Sequence, residues 1–89
     1  MNLEFKKSFA RDLKKRKQDK ELLERIQRII NEVDEAVSII EIGNLKKLKA
    51  EGNYYRIRLG DYRLGLIIEN DMVYFVRFLH RREVYKYFP

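Results

Sequence analysis

The sequence predicts an α+β fold in two layers, with a helical hairpin packed on one face of an antiparallel β-sheet. Three observations carry this. Apolar residues recur at helical spacing in two adjoining segments of the first half of the chain. Strict alternation runs through YYRIRLGDYRLGLII (54–68), and a further strand-like run, MVYFVRFLH (72–80), follows it. The predicted sheet is a short N-terminal strand plus a three-stranded meander, and residues 1–89 are read as a single domain.

In chain order, NLEF (2–5) makes the short first strand. From Ser8 a helix is predicted, with Phe9 and Leu13 on its apolar side and Lys6, Lys7, Arg11, Lys14, Lys15 and Arg16 on the others. KQDK is a polar break. A longer helix, about Lys20 to Val37, carries the stripe Leu22, Leu23, Ile26, Ile29, Ile30, Val33 and Val37. So short a break between amphipathic helices makes an antiparallel hairpin. SIIEI (38–42) either prolongs the helix or runs extended, and Gly43-Asn44 stops it. LKKLKAEGN is a basic connector, with Leu45 and Leu48 tucked under and Lys46, Lys47 and Lys49 in water.

Gly60-Asp61 suits a two-residue type II′ turn, which needs glycine first. Leu59 then pairs with Tyr62, Arg58 with Arg63, Ile57 with Leu64, and Arg56 faces Gly65. Two arginines directly opposed cost about 0.2–1 kcal/mol, so that face meets either water or an anion. The last strand raises a question of parity. A two-residue Asn70-Asp71 turn would place Arg77 on the apolar face, which is costly. An odd loop or a bulge is therefore predicted, with Tyr74, Val76 and Phe78 on the core face and Val73, Phe75 and Arg77 beside the other arginines. RREVYKYFP fits one or two helical turns.

With 45% hydrophobic and 38% charged residues, the chain reads as globular, and 89 residues bury roughly 60–65% of their unfolded surface. Having no cysteine and one histidine, it offers neither a disulfide framework nor a thiolate or histidine metal centre; no cofactor is expected. Its apolar runs are too short to span a membrane and its start is too charged for a signal peptide, so the expected location is the cytoplasm. The formal charge is +6, unevenly spread. Residues 6–20 carry eight Lys/Arg against two acids, residues 21–44 six acids against two arginines, and residues 45–89 ten Lys/Arg against five acids. Phosphate or an acidic protein partner accounts for such a bias.

Arg56, Arg58, Arg63 and Arg77 are predicted to converge on the uncovered sheet face, with Arg81 just beyond it and Phe75, Tyr54 and Tyr85 among or over them. Guanidinium forks bind phosphate and aromatic rings stack unpaired bases, a combination suited to RNA. Gly65 leaves an open spot opposite Arg56. A solvated face is the alternative, but this one carries almost no acid. His80 has no matching nucleophile, and an isolated histidine at a strand end is more often structural. RNA cleavage without a metal would use attack of the ribose 2′-hydroxyl on the adjacent phosphate. That needs a base, an acid and positive charge; arginines supply the last, and Tyr85 or His80 one of the others.

LKKLKAEGNYYRIRLGDYRLGLII and FLHRREVY resemble the RelE/ParE superfamily of toxins from type II toxin–antitoxin pairs, the second motif pointing to the RelE branch. The resemblance covers residues 45–85 well and residues 1–44 in pattern only. It implies a ribosome-dependent endoribonuclease that cuts mRNA in the A site until a cognate antitoxin neutralises it. Arg56 and Arg58 fall on two basic positions of that family's second strand, Arg63 on the arginine after the tight turn, Arg81 on the arginine after the last strand, and Tyr85 on the C-terminal tyrosine. His80 joins them as a candidate proton carrier, and Lys46, Lys47, Lys49, Arg77 and Phe75 as candidate RNA contacts. One departure stands out: RelE-type enzymes commonly place lysines where this chain has Arg56 and Arg58, and arginine is a poor proton donor. The resemblance leaves two alternatives, a ParE-like inhibitor of DNA gyrase without chemistry and an inactive RNA- or antitoxin-binding member.

Overall fold

A computed structural model describes residues 1–49 and 51–89; Ala50, in the predicted connector, lies outside the described residues. Strand β1 (Asn2–Phe5) leads into helices α1 (Lys7–Lys14) and α2 (Lys20–Glu35). Strands β2 (Leu45–Lys47), β3 (Tyr54–Leu59), β4 (Tyr62–Glu69) and β5 (Met72–His80) follow, then the short helix α3 (Val84–Tyr87). Asp19 starts α2 by accepting the Leu22 N–H at 3.1 Å, as an N-cap aspartate does. SIIEI neither prolongs the helix nor runs extended. It holds a 3₁₀ turn, Ile39–Glu41, in which the Glu41 carboxylate accepts the N–H groups of Val37 and Ser38.

The sheet has the order β1-β5-β4-β3-β2. The helices cover one face: Phe9, Leu22, Ile26 and Val33 pack on Ile57, Leu64, Leu66, Val73, Phe75 and Phe78, all at most 5% exposed. Among the described residues no helix is long and apolar enough to cross a membrane.

Four expectations change. The sheet is mixed, because β1 runs parallel to β5 in the register Leu3↔Val73 and Phe5↔Phe75. Alternation reports which face a residue takes, not which way its neighbour runs; here the Phe5 and Phe75 rings stack 5.1 Å apart. Part of the basic connector is itself a strand, β2, pairing Leu45↔Ile57, Lys46↔Arg56 and Lys47↔Tyr55.

The parity problem is solved inside β5. Asn70-Asp71 is a two-residue turn with Asn70 at φ 54°, giving Ile68↔Val73 and Leu66↔Phe75. A bulge then leaves Val76 unpaired, so that Arg77 meets Gly65 and Phe78 meets Leu64. Arg77 is thus kept off the core face and Phe78 on it, as predicted. Val73 and Phe75 lie in the core, and Tyr74 and Val76 outside it, which reverses that part of the prediction.

Nor is the second face bare. Leu79, Val84 and Phe88 form a small buried cluster there, flanked by Leu48, Tyr54, Ile67 and Val76. The space predicted to be open at Gly65 is filled by the Phe88 ring, 2.7 Å from where a Cβ would stand.

Candidate functional site

At the tip of the β3–β4 hairpin Gly60 adopts φ 58°, a conformation that favours glycine, and sets the predicted register. Arg58 therefore stands opposite Arg63 on the face away from the helical core. The two cations are treated differently. Arg63 folds back, one Nη1 donating to the carbonyls of Gly60 and Tyr62, both at 2.8 Å. The Arg58 side chain is exposed and makes no hydrogen bond or ion pair to any other described residue. Arg81 arrives from the end of β5: its N–H donates to the Asp61 carbonyl at 2.7 Å, and its Nε lies 3.8 Å from the Asp61 carboxylate. That exposed pair is worth little, so the arginine fork keeps most of its capacity for a ligand.

A third element closes the site. Arg25 of α2, half-buried between Leu22 and Ile26, extends to the hairpin turn. Arg25, Asn44, Arg58, Leu59, Gly60, Asp61, Arg63 and Arg81 together line a shallow cleft of about 490 Å³. Four guanidiniums face one carboxylate there, which gives the cleft a positive field of the sign that attracts anions. Sequence reasoning missed Arg25 and Asn44. The signal was available, since Arg25 is one of two bases in an acidic stretch and adjoins the apolar stripe at Leu22 and Ile26.

The other candidates are dispersed. Arg56 donates from Nη1 to the Asn44 carbonyl at 2.8 Å, and its buried Nε has no partner. It stands opposite Lys46, on the arginine face but outside the cleft wall. Lys47, opposite Tyr55, belongs to the helix side, and Lys49 is exposed beyond β2. Arg77 is engaged: Nε and Nη2 donate to Asp12 at 2.8 and 3.2 Å, and its guanidinium lies 5.8 Å from the Tyr87 ring centre. The hydrogen bond from Asp12 holds the Arg77 pKa above the ordinary arginine value.

Phe75, at 0% exposure, lies in the core against Phe5 and Phe9 and presents no surface to a base. His80 is opposite Tyr62 on the helix-side face, across the sheet from Arg58 and Arg63. Its Nδ1 accepts the Arg82 N–H at 3.2 Å, and its ring meets Tyr62 edge-on. Tyr85 is 62% exposed on α3, outside the cleft wall. Among the described residues no group of His, Asp or Glu forms a metal site.

The family model described as ParE toxin of type II toxin-antitoxin system, parDE, matches residues 3–85. The chain belongs to the RelE/ParE toxin superfamily. It is 40% identical to Toxin RelE3 of Methanocaldococcus jannaschii over 90 residues, covering 100% of both chains. The fold matches a RelB-RelE antitoxin-toxin complex from Methanococcus jannaschii with a TM-score of 0.77 at 40% identity, over 96% of this chain and 98% of that one. YafQ from Escherichia coli shares the fold, with a TM-score of 0.66 at 16% identity over 94% and 97% of the two chains. The arginine cleft is therefore a feature of a type II toxin.

Proposed function

We propose that this toxin cleaves mRNA on the ribosome and that a cognate antitoxin holds it inactive. The observation that carries this reading is the convergence of Arg58, Arg63 and Arg81 with Arg25 around one cleft. In the reaction, the ribose 2′-oxygen attacks the adjacent phosphorus, the P–O5′ bond breaks, and a 2′,3′-cyclic phosphate and a 5′-hydroxyl result. Negative charge grows on the non-bridging oxygens, and fixed guanidiniums in a shallow cleft stabilise it. Arg58 and Arg81 hold the scissile phosphate, while Arg63, tied to the turn, contributes field more than direct contact.

The arginines do not donate the proton that the 5′-oxygen needs, so water supplies it. With His80 turned to the other face, the Tyr85 side chain in its phenolate form is the candidate acceptor of the 2′-hydroxyl proton, its ring stacking on the adjacent base. Arg56 and Lys46 extend the basic surface along β3 and β2 for flanking phosphates. The RelB–RelE complex of the 40% identical relative supports an antitoxin partner, whose flexible segment would cover this basic surface. The cytoplasm, where ribosomes and antitoxin meet, is the site of action.

Primer extension on an mRNA in a translating extract tests the reading. Cuts in the A-site codon, abolished by the antitoxin, support it; intact mRNA in an arrested extract overturns it. The match to a ParE family model supports a second reading, inhibition of DNA gyrase without chemistry. That reading predicts blocked supercoiling by the purified protein with no RNA cut.

A further inference from the structure

We infer that Arg25 is a second phosphate-binding residue, so that the cleft holds two successive phosphates of a single RNA strand, one on the sheet side and one on the helix side. The inference rests on the cleavage reading only for the identity of the strand as mRNA. Arg25 lies in the second turn of α2 and is half-buried. Both terminal nitrogens of its guanidinium stand at the hairpin tip: an ideal Cβ on Gly60 would lie 3.7 Å from Nη2 and 3.8 Å from Nη1.

Arg25 buries part of its stem and presents its fork to the cleft. Among the described residues, the ion pairs within 4.0 Å are Arg77–Asp12 and Arg81–Asp61, and neither involves Arg25. Arg63 is tied to the Gly60 and Tyr62 carbonyls. The cleft's available guanidiniums are thus Arg25 on the helix wall and, on the sheet wall, Arg58 with Arg81, whose exposed Asp61 pair leaves its fork free. Forks delivered to one cleft from the helix and from the opposite face of the sheet suit two phosphates better than one.

The charge around Arg25 also orients the strand. On the far side of the hairpin tip, Arg25 borders a second concavity shared with Asp19, Glu21 and Asp61. Those carboxylates repel phosphate, so the strand turns away there and continues along the arginine side toward Arg56 and Lys46.

The test is the salt dependence of binding of a non-cleavable, 2′-O-methyl single-stranded oligonucleotide to the purified toxin. Arg25→Ala should weaken binding about tenfold at low salt. It should also lower the slope of log K against log salt by about 0.7 in magnitude. Arg25→Lys should retain the slope, with thermal unfolding confirming that both variants are folded. Wild-type slope and affinity in Arg25→Ala, or no measurable RNA binding by the wild type, would overturn the inference. Failure of the cleavage reading looks different: mRNA stays intact on the ribosome while Arg25→Ala still lowers the slope. A slope unmoved by Arg25→Ala in a protein that cuts mRNA sinks only the present inference.

Discussion

The ring of Phe88 occupies the space above Gly65 that any other side chain there would need, with its Cδ2 2.7 Å from the Cβ an alanine would introduce. Phe88 is 3% exposed, and with Val84 it fastens α3, the carrier of Tyr85, to the sheet. Gly65→Ala should therefore destabilise by about 1–3 kcal/mol through overpacking. Phe88→Ala should cost about 3 kcal/mol through the void it leaves. In the double variant most of the Gly65→Ala cost should vanish, because the clash is gone. Urea denaturation of the three variants checks this; strictly additive costs would show that the two positions do not share the space.

Asp12 is 5% exposed and accepts three hydrogen bonds, two from the Arg77 guanidinium and one from the Phe78 N–H at 2.9 Å. Strand β1 ends at Phe5, and α1 takes over its role along the edge of β5 through the Ser8 hydroxyl on the Val76 carbonyl and through Asp12. Asp12→Ala leaves the half-buried Arg77 cation and the buried Phe78 N–H without their partner, and should cost about 1–3 kcal/mol in urea denaturation. Asp12→Ala with Arg77→Met should recover part of that. The raised Arg77 pKa means its contribution is fully present below the ordinary arginine value and lost only as pH rises through the higher, folded-state value. Stability should therefore show no step from Arg77 in neutral or moderately alkaline solution.

Tyr85 and His80 make opposite predictions. Tyr85→Phe keeps the ring and loses the hydroxyl, so cleavage should fall about 10²–10⁴-fold with RNA affinity unchanged. Tyr85→Ala should weaken RNA binding as well, by about 1–3 kcal/mol for the lost stacking. His80→Gln should leave single-turnover cleavage near wild type, because the imidazole is on the other face of the sheet. A large loss in His80→Gln would return the histidine to the reaction.

Arg58 and Arg63 are paired across the hairpin yet should fail differently. Arg58 has no partner among the described residues, so Arg58→Ala should leave stability within about 0.5 kcal/mol and cut cleavage about 10²–10³-fold. Arg63 holds the turn through two carbonyls, and Arg63→Ala should add a stability loss of about 0.5–1.5 kcal/mol to its effect on cleavage. Thermal melts beside cleavage assays separate the two.

The features legible in the amino-acid sequence lie within short windows. The Gly60-Asp61 turn and the alternation of residues 54–68 settle the β3–β4 register, because a two-residue turn and a period of two leave one pairing. Helical spacing likewise places α2 beginning at about Lys20. Placing Arg58, Arg63 and Arg81 together followed from that register and the strand end. The remaining features came from long-range packing. The two-residue Asn70-Asp71 turn put Phe75 in the core, and the bulge at Val76 put His80 on the helix side. Asp12, 65 residues from Arg77 in the chain, took that arginine out of the phosphate surface. Packing of α2 delivered Arg25 to the turn, and Phe88 closed the space at Gly65. Each of these is a contact between segments distant in sequence, and local periodicity carries no record of which distant partner will satisfy a charge or fill a hole.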